Sequence, residues 1–175
     1  MYILDTNVVS ELRKPEQRID PHVAAWGRTV DPHLLHLSVI TVLELEIGVR
    51  RLERRDREQG AALRKWMDEA VLVAFAGRIL PFGTTSALRC AILHVPDPQP
   101  DRDSIIAATA LVEKMTVVTR NVSDFAPMGV KVLNPWELGP RPARQPPAPR
   151  CAGGGRIRRS RNPRRHIGRS LRGGA

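Results

Sequence analysis

Along residues 1–138, short unbroken apolar runs alternate with longer stretches whose apolar positions recur at helical spacing. Tyr2-Ile3-Leu4 is a strand-length run that stops at Asp5-Thr6-Asn7, and short polar side chains of that kind open helices. Pro21 to Val30 reads as a helix with proline in its first turn, where the missing N–H has no helical partner to lose. Leu34 to Ile40 contains a second strand. Thr41 then starts a long helix whose Val42, Leu45, Val49 and Leu52 form one apolar stripe. A further helix is expected over Arg57 to Ala74, a short strand over Arg78 to Phe82, and a helix over Thr84 to His94. Pro96-Asp97-Pro98-Gln99-Pro100 must be a loop. Asp103 opens an almost wholly apolar helix that runs to Val112; Met115 to Thr119 is a buried strand and Val130 to Leu133 a last short one. Strands alternating with helices predict an α/β domain with a mostly parallel central sheet, flanked by helices on both faces.

Composition changes this picture only at the C-terminus. The chain has 175 residues and a formal charge of +10, which suggests a nucleic-acid partner until its distribution is read. Residues 139–175 hold eleven of the 28 Lys and Arg and none of the 18 acids, so residues 1–138 keep 17 bases against 18 acids. The domain itself is nearly neutral. The tail also carries seven of the 13 glycines, six of the 15 prolines and no Phe, Trp or Tyr, too little apolar surface to offset chain entropy. It is expected to be a disordered extension, either merely solvated or an RNA-gripping arm. The longest near-apolar run, Ala70 to Gly77, falls far short of the roughly 20 residues a membrane span needs. Met1-Tyr2-Ile3-Leu4-Asp5 has no basic lead, which argues against a secretory signal. Cys90 and Cys151 show neither metal nor disulfide-scaffold spacing, and the expected compartment is the cytoplasm.

In an open parallel sheet, ligands bind outside the carboxyl ends of the strands. The acids expected at that edge are Asp5 at the end of the first strand, Glu44 in the first turn of the long helix, Asp103 at its helix start, and Asp124 after the strand 115–119. Grouped without a cation, such carboxylates repel one another and some must take up protons. A hard divalent ion, Mg²⁺ or Mn²⁺, removes the conflict and can activate water for attack on a phosphodiester. That pattern points to a metal-dependent nuclease. Each acid has a plainer reading beside it: helix caps for Asp5 and Asp103, an exposed helix acid for Glu44, a loop brace for Asp124. Glu46 lies two positions from Glu44, about 200° around the helix, and is left out; Asp101, placed in the loop, is a spare candidate.

Glu44, Gly48, Arg51 and Arg55 fall roughly on one line of the long helix. Glycine is a poor helix former, so Gly48 suggests close approach by a backbone or a substrate. Arg51 and Arg55 are placed to meet phosphates, and Arg120 is a further candidate; a solvated Arg/Glu face is the alternative. There is no His-Glu-x-x-His, Gly-x-Ser-x-Gly, P-loop or Gly-x-Gly-x-x-Gly, and the five histidines show no ligand spacing.

Leu4-Asp5-Thr6-Asn7-Val8-Val9-Ser10-Glu11 resembles the opening of the PIN-domain family. Ser38 to Gly48, with Glu44 four residues before Gly48, is similar to its second motif, Asp103 to Ala110 to its third, and Thr116 to Phe125 to its fourth. With the closing Leu133-Asn134-Pro135-Trp136-Glu137, the wording resembles the VapC (FitB-like) toxins of type II toxin–antitoxin pairs. The resemblance implies a Mg²⁺- or Mn²⁺-dependent ribonuclease that cuts cellular RNA and holds translation down. It further implies a homodimer silenced by a VapB-type antitoxin whose C-terminal segment enters the active-site groove. By motif, Asp5 and Asp103 become central metal ligands, and Glu44 and Asp124 outer acids acting directly or through water. Asn7, Thr119 and Asn121 become polar neighbours that orient them. The alternative is a PIN-like RNA-binding module without catalysis. The tail after Leu138 departs from the pattern, since toxins of this kind usually stop there.

Overall fold

A computed structural model describes residues 1–139; the readings made above for residues 140–175 lie outside them. Strands β1 (Tyr2–Leu4), β2 (Leu35–Ser38), β3 (Ile79–Leu80), β4 (Thr116–Val118) and β5 (Val132–Leu133) form one sheet in the order β3-β2-β1-β4-β5, with every pair parallel. The helices are α1 (Thr6–Leu12), α2 (Pro21–Thr29), α3 (Val39–Arg55), α4 (Arg57–Trp66), α5 (Leu72–Ala74), α6 (Thr84–Leu93), α7 (Asp101–Val112) and α8 (Val122–Phe125). No described helix is long and apolar enough to cross a membrane.

Both faces of the sheet are covered, which is why its strands read as unbroken apolar runs rather than as alternating ones. Successive residues still point opposite ways. Leu4 and Val118 join a core with Val8, Trp26, Leu45 and Val49, while Ile3 and Val117 join the other with Ile106, Ala107 and Phe125. The chain moves outward from β1 through β2 to β3, then crosses back to β4 and β5. The carboxyl end of β1 is therefore the point where strand order reverses, the place where such sheets form a crevice.

Several boundaries differ from the sequence reading. The long helix begins at Val39, capped by the Ser38 hydroxyl accepting from Ile40 N–H, so Glu44 sits in its second turn rather than its first. Thr41 lies inside that helix, wholly buried, and donates to the last carbonyl of β1 at Leu4 (3.1 Å). The expected helix over 57–74 is interrupted by a widened turn at Met67–Val71, where Leu72 N–H reaches back five residues to the Met67 carbonyl. The apolar helix opens at Asp101, with Pro100 as its cap residue; Asp103 is its third residue, and Asp101 is helical rather than in the loop. The short helix α8 was not expected.

Candidate functional site

Parallel register builds the centre of the site. Leu4 pairs with Leu37 on one side and Val118 on the other, so the next residues, Asp5, Ser38 and Thr119, stand at one level at the carboxyl edge of the sheet. Asp5 N–H continues the ladder to the Val118 carbonyl (3.0 Å). The Asp5 carboxylate is buried and held by neutral donors. Thr6 N–H donates to one oxygen at 2.6 Å; the Thr119 hydroxyl and Asn7 Nδ2 each donate to the other at 2.6 Å. Thr119 Oγ1 in turn accepts from Asn7 Nδ2 and from Asn121 N–H, both at 3.0 Å. Asn7 Oδ1 accepts from Arg120 N–H (3.3 Å). Asp5 is thus both the cap of α1 and a carboxylate fixed in direction. For Asn121 the contact is made by its backbone.

The other acids come to the same edge. Burial pushes the Asp103 carboxyl up to about 6, and the charges of Asp5, Asp124 and Glu44 add to that rise in that order. Burial also raises Asp5, against the hydrogen bonds from Thr119 and Thr6, with Glu44 adding to the rise. Glu44 has both oxygens engaged: one accepts from the Thr6 hydroxyl, the other pairs with Arg102 Nη1 at 3.1 Å. Asp124 accepts from the Ser123 hydroxyl (3.2 Å), and its N–H bonds the Asn121 carbonyl (3.2 Å). Among the described residues no three His, Cys, Asp or Glu close around one point at metal-ligand spacing. What they share is excess negative charge on hard oxygen donors, and that chemistry suits Mg²⁺ or Mn²⁺.

The neighbours divide. Glu46 turns away from the acids, as its position on the helix requires, and Arg64 clamps it through two nitrogens at 2.6 and 2.8 Å. Arg51 and Arg55 are exposed on α3 and make no ion pair or hydrogen bond among the described residues. Arg120 is exposed, its guanidinium 5.6 Å from the Trp136 ring centroid. No backbone approaches Gly48: a Cβ built there meets nothing within 4 Å, which removes one of the two reasons offered for it. The close approach occurs instead at Gly60, where a Cβ built on the backbone would lie 2.5 Å from the Glu53 Cα.

Thr6, Arg102 and His94 escaped the sequence reading. Thr6 follows Asp5, and Arg102 lies between two acids, Asp101 and Asp103; both patterns were legible. His94 carried no signal, because its partner is tertiary. Its Nε2 lies 2.9 Å from Ser104 Oγ, which also accepts from Cys90 Sγ and donates to the Asp101 carbonyl at 2.8 Å. The end of α6 thereby fixes the first turn of α7, where Arg102 and Asp103 sit.

A parallel sheet covered on both faces, with acids from four separate segments at its switch point, defines an acid-lined α/β domain suited to phosphate chemistry. Residues 2–128 match the PIN domain family, and the chain belongs to it. It is 37% identical over 142 residues to VapC ribonuclease Y4jK of Sinorhizobium fredii, a match spanning 78% of this chain and 99% of that one. It is 36% identical over 141 residues to the toxin FitB of Neisseria gonorrhoeae, with 78% and 99% covered. The crystal structure of FitAcB from Neisseria gonorrhoeae superimposes with a TM-score of 0.72 at 36% identity, over 79% of this chain and 100% of that one.

Proposed function

We propose that this protein is a Mg²⁺- or Mn²⁺-dependent endoribonuclease toxin that cleaves cellular RNA and inhibits translation. The observation that supports it most is the electrostatic one: Asp5, Glu44 and Asp124 all raise Asp103, so four acids from distant parts of the chain share one field. Its PIN-domain membership and its likeness to a VapC ribonuclease and to the FitB toxin support the same reading.

On this reading Asp5 and Asp103 would hold the cation, with Glu44 and Asp124 acting directly or through water. Such an ion, when bound, supplies a polarised water and offsets the charge that builds on the phosphate. The protein's own residues set the conditions. Thr119, Asn7 and the Thr6 backbone hold Asp5 in one orientation, so little reorganisation is needed when the site is filled. Asp103, raised by burial first and by its acidic neighbours second, would give up its proton more readily beside a bound cation. Arg51, Arg55 and Arg120 are exposed cations for the RNA backbone. The partner would be a VapB-type antitoxin and the assembly a homodimer.

Asp5→Asn should abolish cleavage of total RNA in Mg²⁺ and growth arrest on induction, while circular dichroism reports a folded protein. Cleavage by Asp5→Asn at the wild-type rate would sink the mechanism. Binding of RNA by the wild type with no cleavage in Mg²⁺ or Mn²⁺ would favour an RNA-binding module instead.

A further inference from the structure

Arg102 stands beside Asp103 in the first turn of α7, with Nη1 3.1 Å from Glu44 Oε1. A cation in the first turn of a helix faces the positive end of the helix dipole, which works against stability. What it gains among the described residues is one contact, made by an arm that is 52% exposed. Exposed ion pairs of that kind contribute little. Arg64 is the contrast: 25% exposed, it grips Glu46 through two nitrogens and Glu53 at 3.1 Å. Arg64 is built in. Arg102 is held by a bond weak enough to exchange.

Its partner gives the exchange a meaning. Glu44 belongs to the group of four acids, and its second oxygen is already taken by the Thr6 hydroxyl. While the guanidinium stays on Oε1, it competes there with any other cation. Were a divalent ion to occupy Glu44, the released guanidinium would sit on a half-exposed arm at the edge that a phosphodiester must approach. Its charge and planar fork suit phosphate oxygens.

We infer that Arg102 is an exchange residue of the RNA-cutting site: it neutralises Glu44 in the free protein and turns to an RNA backbone phosphate when a divalent cation occupies the acids. This rests on the nuclease reading above. Two measurements on Arg102→Gln test it. Without RNA, a Mg²⁺ titration followed by thermal shift should show about two- to fivefold tighter binding, because a competing exposed ion pair has been removed. At saturating Mg²⁺, KM for single-stranded RNA should rise about three- to tenfold with kcat within about twofold, because a charge-assisted phosphate contact has been lost. Arg102→Lys, which keeps the charge, should move both values back toward wild type. Unchanged Mg²⁺ affinity, unchanged KM, a loss confined to kcat, or a Lys variant that behaves like Gln would each overturn the exchange. If the wild type cuts no RNA, the nuclease reading fails on its own, and the Mg²⁺ titration still decides whether Arg102 competes at Glu44.

Discussion

At the scale of single residues, Asp103 and Thr119 make opposite demands on the protein. Asp103 has a folded-state value of about 6 against an ordinary 3.8, so the folded protein holds an extra proton between those values. Its contribution to stability is full below about 3.8 and is lost as pH rises through about 6. Asp5, also raised, acts in the same sense. Glu46 is lowered from 4.5 to about 2, chiefly by Arg64, so its contribution is full above 4.5 and disappears only as pH falls toward 2. Without metal, the melting temperature should therefore fall between pH 5 and 7, and Mg²⁺ should cancel or reverse that slope, because it binds the ionised acids. Asp103→Asn should flatten the metal-free profile, add on the order of 1 kcal/mol at pH 7 after solvent screening, and abolish cleavage. A wild-type pH profile in that variant would mean Asp103 is under no such pressure. Thr119 does the reverse, since its hydroxyl favours the charged form of Asp5. Thr119→Val should weaken Mg²⁺ binding about 10- to 100-fold, and Thr119→Ser should restore most of it, as read by titration.

At the scale of elements, the two glycines of the α3–α4 hairpin separate packing from function. A Cβ on Gly60 would lie 2.5 Å from Glu53 Cα and 2.7 Å from its N, so α3 and α4 would have to part. Overpacking of that kind costs about 1–3 kcal/mol, more than the roughly 1 kcal/mol that alanine gains in a helix. Gly60→Ala should be destabilising by denaturant titration; a gain would show that the hairpin opens freely. Gly48 meets nothing, so Gly48→Ala should stabilise by about 0.5–1 kcal/mol. If the space beside Gly48 is left for RNA, the same variant should show a higher KM. Strand and helix order was legible because apolar runs and helical stripes depend on local sequence. The start of α3 was misjudged because Val39 and Ile40, read as strand, are held helical by the Ser38 cap. The broken helix at Met67–Val71 had no breaker to announce it: the sequence there, Met-Asp-Glu-Ala-Val, contains neither Gly nor Pro. Asp5 was legible as a strand-end position, and Glu44 and Asp103 as acids near helix starts. The contacts of Glu44 with Thr6 and Arg102 were not, since they join residues 38 and 58 positions apart.

At the scale of the whole molecule, charge and chemistry occupy different parts of the chain. Residues 1–138 hold all 18 acids against 17 bases, and every residue assigned to the site lies within them; residues 139–175 hold eleven arginines and no acid. Deleting residues 140–175 should therefore leave the metal-dependent cut positions and the melting temperature unchanged. Non-specific affinity is the property that should respond, because each arginine that neutralises a phosphate releases a counterion. For single-stranded RNA the slope of log K against log salt is roughly −0.7 per contact, so an arm engaging about four to six phosphates adds about 3 to 4 units. Fluorescence anisotropy with labelled RNA, read across a salt series, measures that slope for the full and the truncated chain. A slope flattened by that amount makes the tail an RNA-gripping arm; an unchanged slope makes it a solvated extension. Loss of folding or of catalysis on truncation would place the domain boundary beyond Leu138.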